Sequence, residues 1–145
     1  MPKIDLLVQI KKDKKGVYQV LKRMDRFPEF VSGIKHVRLT KKKENSVLAE
    51  WNISIDGASI MWIEETTFYD KAMEIRFKMV EGDYTKYKGK WILKKAPRGT
   101  NLQLAVDIDW GAPELMKFVG PIIEKKTRRA FRTLLLGIKK EAERK

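Results

Sequence analysis

Residues 100–145 read TNLQLAVDIDWGAPELMKFVGPIIEKKTRRAFRTLLLGIKKEAERK. Two periods meet in this stretch. Up to Trp110 the apolar residues Leu102, Leu104, Val106, Ile108 and Trp110 oppose Asn101, Gln103, Asp107 and Asp109. That alternation belongs to a strand with one apolar face. Gly111 and Pro113 end it. From Ala112 to Lys145, Leu115, Met116, Val119, Ile123, Thr127, Ala130, Phe131, Leu134 and Ile138 recur at helical spacing. Lys125, Arg128, Arg132, Lys139 and Arg144 take the opposite face. Such a helix reaches up to about 50 Å at ~1.5 Å per residue. Gly120-Pro121 falls inside it, where a kink or break is expected. A one-sided strand and a one-sided helix must bury their apolar faces together.

Further strands are expected upstream, at Ile34–Lys43, Ser46–Ile55, Ala58–Tyr69, Ala72–Val80 and Tyr84–Lys95. The turns between them carry Glu44-Asn45, Asp56-Gly57, Asp70-Lys71, Gly82-Asp83 and Pro97-Arg98-Gly99. Connections this short imply an antiparallel meander. Lys3–Ile10 adds one more strand through Ile4, Leu6, Val8 and Ile10. Asp13 is placed to cap a helix over Lys14–Met24, and Pro28 to begin a short second one, Pro28–Val31, ended by Gly33. The expected fold is α+β: a curved, seven-stranded antiparallel sheet wrapped around the long C-terminal helix. Residues 1–145 read as a single domain, without linker, repeat or low-complexity segment.

Composition narrows the chemistry. The absence of cysteine excludes disulfides, thiolate nucleophiles and Cys-based zinc sites. His36 is the only histidine, so a multi-His metal site is excluded and no cofactor is expected. No apolar run approaches the ~20 residues of a membrane span. The N-terminal MPKIDLLVQIKK lacks the apolar core and cleavage site of a signal peptide, so a cytoplasmic protein is expected. The net charge of +13 has two explanations. One is a surface for phosphates, in nucleic acid or on an anionic membrane. The other is a heat-adapted surface rich in Lys and Glu.

The inner faces of these strands offer Trp51, Trp62, Phe77, Tyr87, Trp91 and Trp110, with flexible Met73, Met79 and Met116. They either fill the core or line an adaptable apolar pocket. Among polar candidates, alternation puts one of Glu64 and Glu65 inside. Both faces of that strand are apolar, Ile60, Trp62 and Phe68 against Met61, Ile63 and Tyr69, which leaves the phase open. An inward Glu64 beside Trp62 can orient a ligand head or act as a general base if burial raises its pKa. An outward one is a solvated carboxylate, paired with Arg76. No catalytic residue is assigned beyond these two candidates, Glu64 and Arg76. His36 is expected to face water. Tyr69, Tyr84 and Tyr87 can donate to a ligand carbonyl or simply pack. Lys86, Lys88, Lys90 and Lys94 alternate along one strand face, with Lys41-Lys42-Lys43 at a turn. They protect against aggregation or approach anionic headgroups.

Met24-Asp25-Arg26-Phe27-Pro28-Glu29-Phe30-Val31 looks like the segment between first helix and second strand of the helix-grip superfamily. That superfamily includes START-like lipid-binding domains, polyketide cyclases and coenzyme Q-binding proteins. Gly89-Lys90-Trp91 resembles its sixth strand, and Gly99-Thr100 the hairpin before its last strand. The long terminal helix completes a resemblance covering nearly the whole chain. It implies a cavity between sheet and helix that binds a hydrophobic small molecule or lipid, such as a quinone. The residues expected to line it are Trp51, Trp62, Met73, Ile75, Phe77, Met79, Tyr87, Trp91, Leu104, Val106, Met116, Val119 and Ile123. The resemblance leaves open a cyclase or aromatase acting on a poly-β-keto chain. A ribosome- or RNA-associated regulator using the basic surface also stays open.

Overall fold

The computed structural model describes residues 3–144. Strand β1 (Lys3–Ile10) leads into helix α1 (Lys14–Lys22) and a 3-10 segment, Met24–Glu29. Six strands follow: β2 (Ile34–Lys42), β3 (Ser46–Ile55), β4 (Ala58–Tyr69), β5 (Glu74–Gly82), β6 (Lys86–Ala96) and β7 (Gly99–Asp109). Helix α2 (Pro113–Glu143) closes the chain. The order across the sheet is β1-β7-β6-β5-β4-β3-β2, antiparallel throughout. β2 to β7 thus form the expected meander, and β1 pairs with β7 at its far edge. The fold is the curved seven-stranded α+β sheet with a long terminal helix.

The core lies between the inner sheet face and the helices. Ile4, Leu6 and Ile10 of β1 meet Leu102, Leu104, Val106 and Ile108 of β7, under Leu135, Ile138 and Ala142 of α2. Burying one Leu or Ile fully contributes about 1.5–3 kcal/mol, so the C-terminal turns of α2 hold the helix to the sheet. The first turns do not: Leu115, Phe118 and Ile122 are exposed, Phe118 at 80%. The Asp13 carboxylate accepts from the Gly16 N–H at 3.1 Å and caps α1, an arrangement that contributes roughly 1 kcal/mol.

Several expected boundaries move, each for a local reason. The short second helix lies at Met24–Glu29, not Pro28–Val31, and is 3-10. Pro28 has no N–H to continue an α-helical ladder, and Phe30 instead donates to the Phe27 carbonyl at 3.1 Å. Met73 belongs to the turn before β5: its φ is 52° and its N–H bonds the Asp70 carbonyl. β6 starts at Lys86 because Tyr84 leaves the strand path and tucks into the core. Trp110 lies just past the end of β7 and is half-buried. No break occurs at Gly120-Pro121, and α2 runs through both. One lost hydrogen bond does not interrupt the ladder on either side. The helix end expected at Lys145 lies outside the described residues.

Candidate functional site

Period-two alternation places Trp62, Glu64 and Thr66 on the inner face of β4, all at least 97% buried. The register with β3 sets Trp51 opposite Trp62 and Ala49 opposite Glu64. The two indoles stack 5.5 Å apart with planes 8° from parallel. On the other side of β4, a bulge at Val80 shifts β5, so Ile63 faces Glu81 while Glu64 faces Met79. Bulges of this kind re-aim side chains at functional positions.

Glu64 is therefore the inward carboxyl. Trp62 Nε1–H donates to its Oε1 at 2.9 Å, and the Thr66 hydroxyl donates to Oε2 at 2.5 Å. Burial pushes its pKa up from 4.5 to about 7, and those two hydrogen bonds offset only part of the rise. Arg76 provides no compensating charge. It sits on the outer face, held by Glu74 at 2.7 Å and laid over the Tyr69 ring. The pairing of Arg76 with an outward Glu64 is thus corrected on both counts. Tyr69 is exposed, whereas Tyr84 and Tyr87 are buried. Burial raises the Tyr87 phenol well above its usual range, and the nearby Glu64 adds to the rise. His36 is half-buried on the second strand, 3.2 Å from the Glu50 carboxylate.

Around Glu64 the interior is an aromatic cluster. Trp62 touches Tyr87 (4.8 Å) and Tyr84 (5.6 Å), Phe77 touches Tyr87 (5.3 Å), and Tyr87 reaches Phe131 of α2 (6.4 Å). Four buried polar atoms have no hydrogen-bond partner among the described residues: Trp51 Nε1, Tyr84 Oη, Trp110 Nε1 and Thr127 Oγ1. Each such group carries a desolvation cost of about 1–3 kcal/mol.

A cavity of about 190 Å³ opens beside this cluster. Ile34, Trp51, Ile53 and Trp62 form its sheet wall, and Ala130, Phe131 and Leu134 its helix wall. Its rim carries Ser32, Asp56, Lys126 and Arg129, with Lys126 ion-paired to Asp56 across the opening. Of the residues expected to line a cavity, Trp51 and Trp62 do so. Phe77, Tyr87 and Trp91 are packed in the core with Ile75, Leu104 and Val106. Met73 and Met79 pack half-buried against it. Met116, Val119 and Ile123 are half-buried on the first turns of α2, outside the cavity wall. The helix wall comes instead from Ala130, Phe131 and Leu134. They lie on the same apolar stripe, and only their spacing signalled them. Glu64 itself stands behind Trp62 rather than in the wall. No cluster of three or more potential metal ligands exists among the described residues. No helix among them is long and apolar enough to cross a membrane.

Comparison with known proteins agrees with this fold. The family model described as polyketide cyclase / dehydrase and lipid transport matches residues 11–135. The chain superposes on TTHA0849 from Thermus thermophilus with a TM-score of 0.93 at 19% identity, covering 97% of each chain. The Zhui aromatase/cyclase from Streptomyces sp. R1128 matches at 0.89 and 15%, over 99% of this chain and 94% of that one. A START superfamily protein from Mycobacterium smegmatis matches at 0.81 and 17%, over 97% of each. Likenesses at these identities establish the shared fold.

Proposed function

Because the chain belongs to the polyketide cyclase/dehydrase and lipid transport family, we propose that it binds a hydrophobic small molecule or lipid between α2 and the sheet. The observation that carries this reading is Trp51, a residue of the cavity wall beside Ile53, Phe131 and Leu134, whose indole N–H is buried without a partner among the described residues. Ligand sites fix orientation with a few polar groups among many apolar ones. An indole N–H is a donor only, so the ligand head presents an acceptor oxygen, as in a ketone, ester or quinone. Affinity comes from apolar surface leaving water at roughly 25 cal/mol per Å², before association costs.

At about 190 Å³ the cavity is small for such a ligand, since sites for drug-sized molecules typically span roughly 300–1,000 Å³. Opening is therefore part of the proposal. The exposed first turns of α2 begin at Ala112, a non-glycine residue in the left-handed region (φ 48°), and Lys126 ties the helix to the β3–β4 turn. Swinging these turns outward brings Met116, Val119 and Ile123 to the mouth and gives access past Trp62 to Tyr87 and Phe77. Exposed Leu115, Phe118 and Ile122, close along the helix to Lys125, Lys126 and Arg129, suit loading at an anionic lipid surface on the cytoplasmic side.

A second reading is polyketide cyclisation, favoured by one observation: a carboxyl brought near neutral pKa beside an apolar cavity. The position of Glu64 behind Trp62 makes it secondary. Native mass spectrometry of gently purified protein tests the main reading, alongside titration with the apolar dye anilinonaphthalene sulfonate. A bound apolar molecule, or saturable dye binding lost in a folded Ala130→Phe variant, is the expected result. Absence of both, or dye binding indifferent to Ala130→Phe, would overturn it. Turnover of a model poly-β-keto chain, lost in Glu64→Gln, would instead favour the enzyme.

A further inference from the structure

The outer face of the sheet, opposite α2, carries a second depression of about 670 Å³, crossing from β1 to β4. Its floor is shallow at Ala105, which puts only a methyl group outward beside Lys90. Strand register gives its charge pattern. Arg76 on β5 is directly opposite Lys90 on β6, and Lys78 is directly opposite Lys88. Four cations thus occupy one contiguous block, about 5 Å across the strands and 7 Å along them. Like charges directly opposite in a sheet destabilise it, so the fold gains nothing from this arrangement. Glu74 holds Arg76, and Glu65 lies 3.8 Å from Lys78. Lys88 and Lys90 make no ion pair among the described residues.

The surroundings limit what fits. Asp107 lies across from Lys88 and Asp5 across from Ala105 on one side of the block; Glu65 flanks Lys78 on the other. A long polyanion continuing across the strands meets these carboxylates, and a flat anionic surface does not enter a concave groove. We propose that this groove binds a compact polyanion bearing two or three phosphates, clamped by the Arg76 guanidinium and by Lys78, Lys88 and Lys90 as point charges. The site is independent of the cavity under α2.

Inorganic tripolyphosphate is the probe, titrated calorimetrically at low and at physiological salt. Saturable one-to-one binding is expected, weakened at least tenfold in a Lys88→Gln/Lys90→Gln double variant. A control triple variant, Lys41→Gln/Lys42→Gln/Lys43→Gln, is expected to bind within twofold of the parent. No saturable binding, or equal loss in both variants, would mean diffuse surface charge and overturn the proposal. So would a single-stranded oligonucleotide, or vesicles of anionic phospholipid, binding more tightly than tripolyphosphate and depending on Lys88 and Lys90. Relief of the opposed charges predicts a melting temperature at or above the parent's in the double variant. A lower one would assign the lysines to the fold and overturn the site.

Discussion

Trp62 and Glu64, two residues apart on one strand face, are joined by a 2.9 Å hydrogen bond from indole Nε1 to Oε1. Glu64 thereby positions a ring that is both a wall of the cavity and the centre of the aromatic cluster. Any change at the carboxyl reaches the cavity through that ring.

This carboxyl predicts a pH dependence of stability. Its folded-state pKa of about 7 stands above the ordinary 4.5. The folded protein therefore holds this proton more tightly than the unfolded chain. The resulting contribution is full below about pH 4.5 and is lost as pH rises through about 7. It amounts to roughly 3 kcal/mol at 1.36 kcal/mol per pKa unit. Asp56, Asp70 and Glu143, whose pKa values are lowered by hydrogen bonds and cations, act in the opposite sense. Their window lies below the ordinary carboxylate pKa, so they leave pH 5–8 to Glu64. Urea denaturation is expected to give lower stability at pH 8 than at pH 5. Glu64→Gln is expected to flatten that difference; an unchanged difference would remove Glu64 as its source.

Thr127→Val tests the unpartnered hydroxyl on α2. Thr127 is 1% exposed and its Oγ1 has no partner among the described residues. Replacing a buried, unsatisfied hydroxyl by a methyl of similar shape removes a desolvation cost of about 1–3 kcal/mol. The variant is expected to melt at or above the wild-type temperature. A lower melting temperature would indicate that the hydroxyl is satisfied in solution.

Two glycines bracketing the first turns of α2 should respond in opposite directions. Gly111 has a φ of 75°, and a Cβ there would strike the Thr85 hydroxyl. Gly111→Ala is expected to destabilise by about 1–3 kcal/mol. At Gly120 the nearest atom to an added Cβ is Met116 Cβ, at 3.8 Å, an ordinary contact. Gly120→Ala is expected to stabilise by up to about 1 kcal/mol through helix propensity. If opening needs these turns to yield, stopped-flow release of bound dye should slow in Gly120→Ala. Equal rates would place the opening elsewhere.

Much of this was legible in order along the chain. Alternation placed β1, β3 and β7 at or within one residue of their observed ends, because one face of each is mostly buried and the other mostly polar. Turn chemistry placed the Asp56-Gly57 hairpin. The orientation of Glu64 was not legible, since both faces of β4 carry large apolar residues. Met61 and Tyr69 prove exposed and Trp62 buried. That phase follows from the Trp51–Trp62 pairing and the bulge opposite Ile63 and Glu64, which involve three strands at once. Which turns of α2 line the cavity was not legible for a similar reason. The apolar stripe of α2 runs its full length, and its spacing does not say which turns meet the sheet.

The linear order of periods by itself determined a bent antiparallel sheet, one long helix and a need to bury both. Those are local preferences, repeated every two or every 3.6 residues, and they survive without knowledge of neighbours. Only the folded arrangement decided that rings fill most of the interior, that Glu64 lies behind Trp62 and that Arg76 faces outward among lysines. Each of these depends on register between strands distant in sequence. A one-residue slip there sends every side chain to the other face.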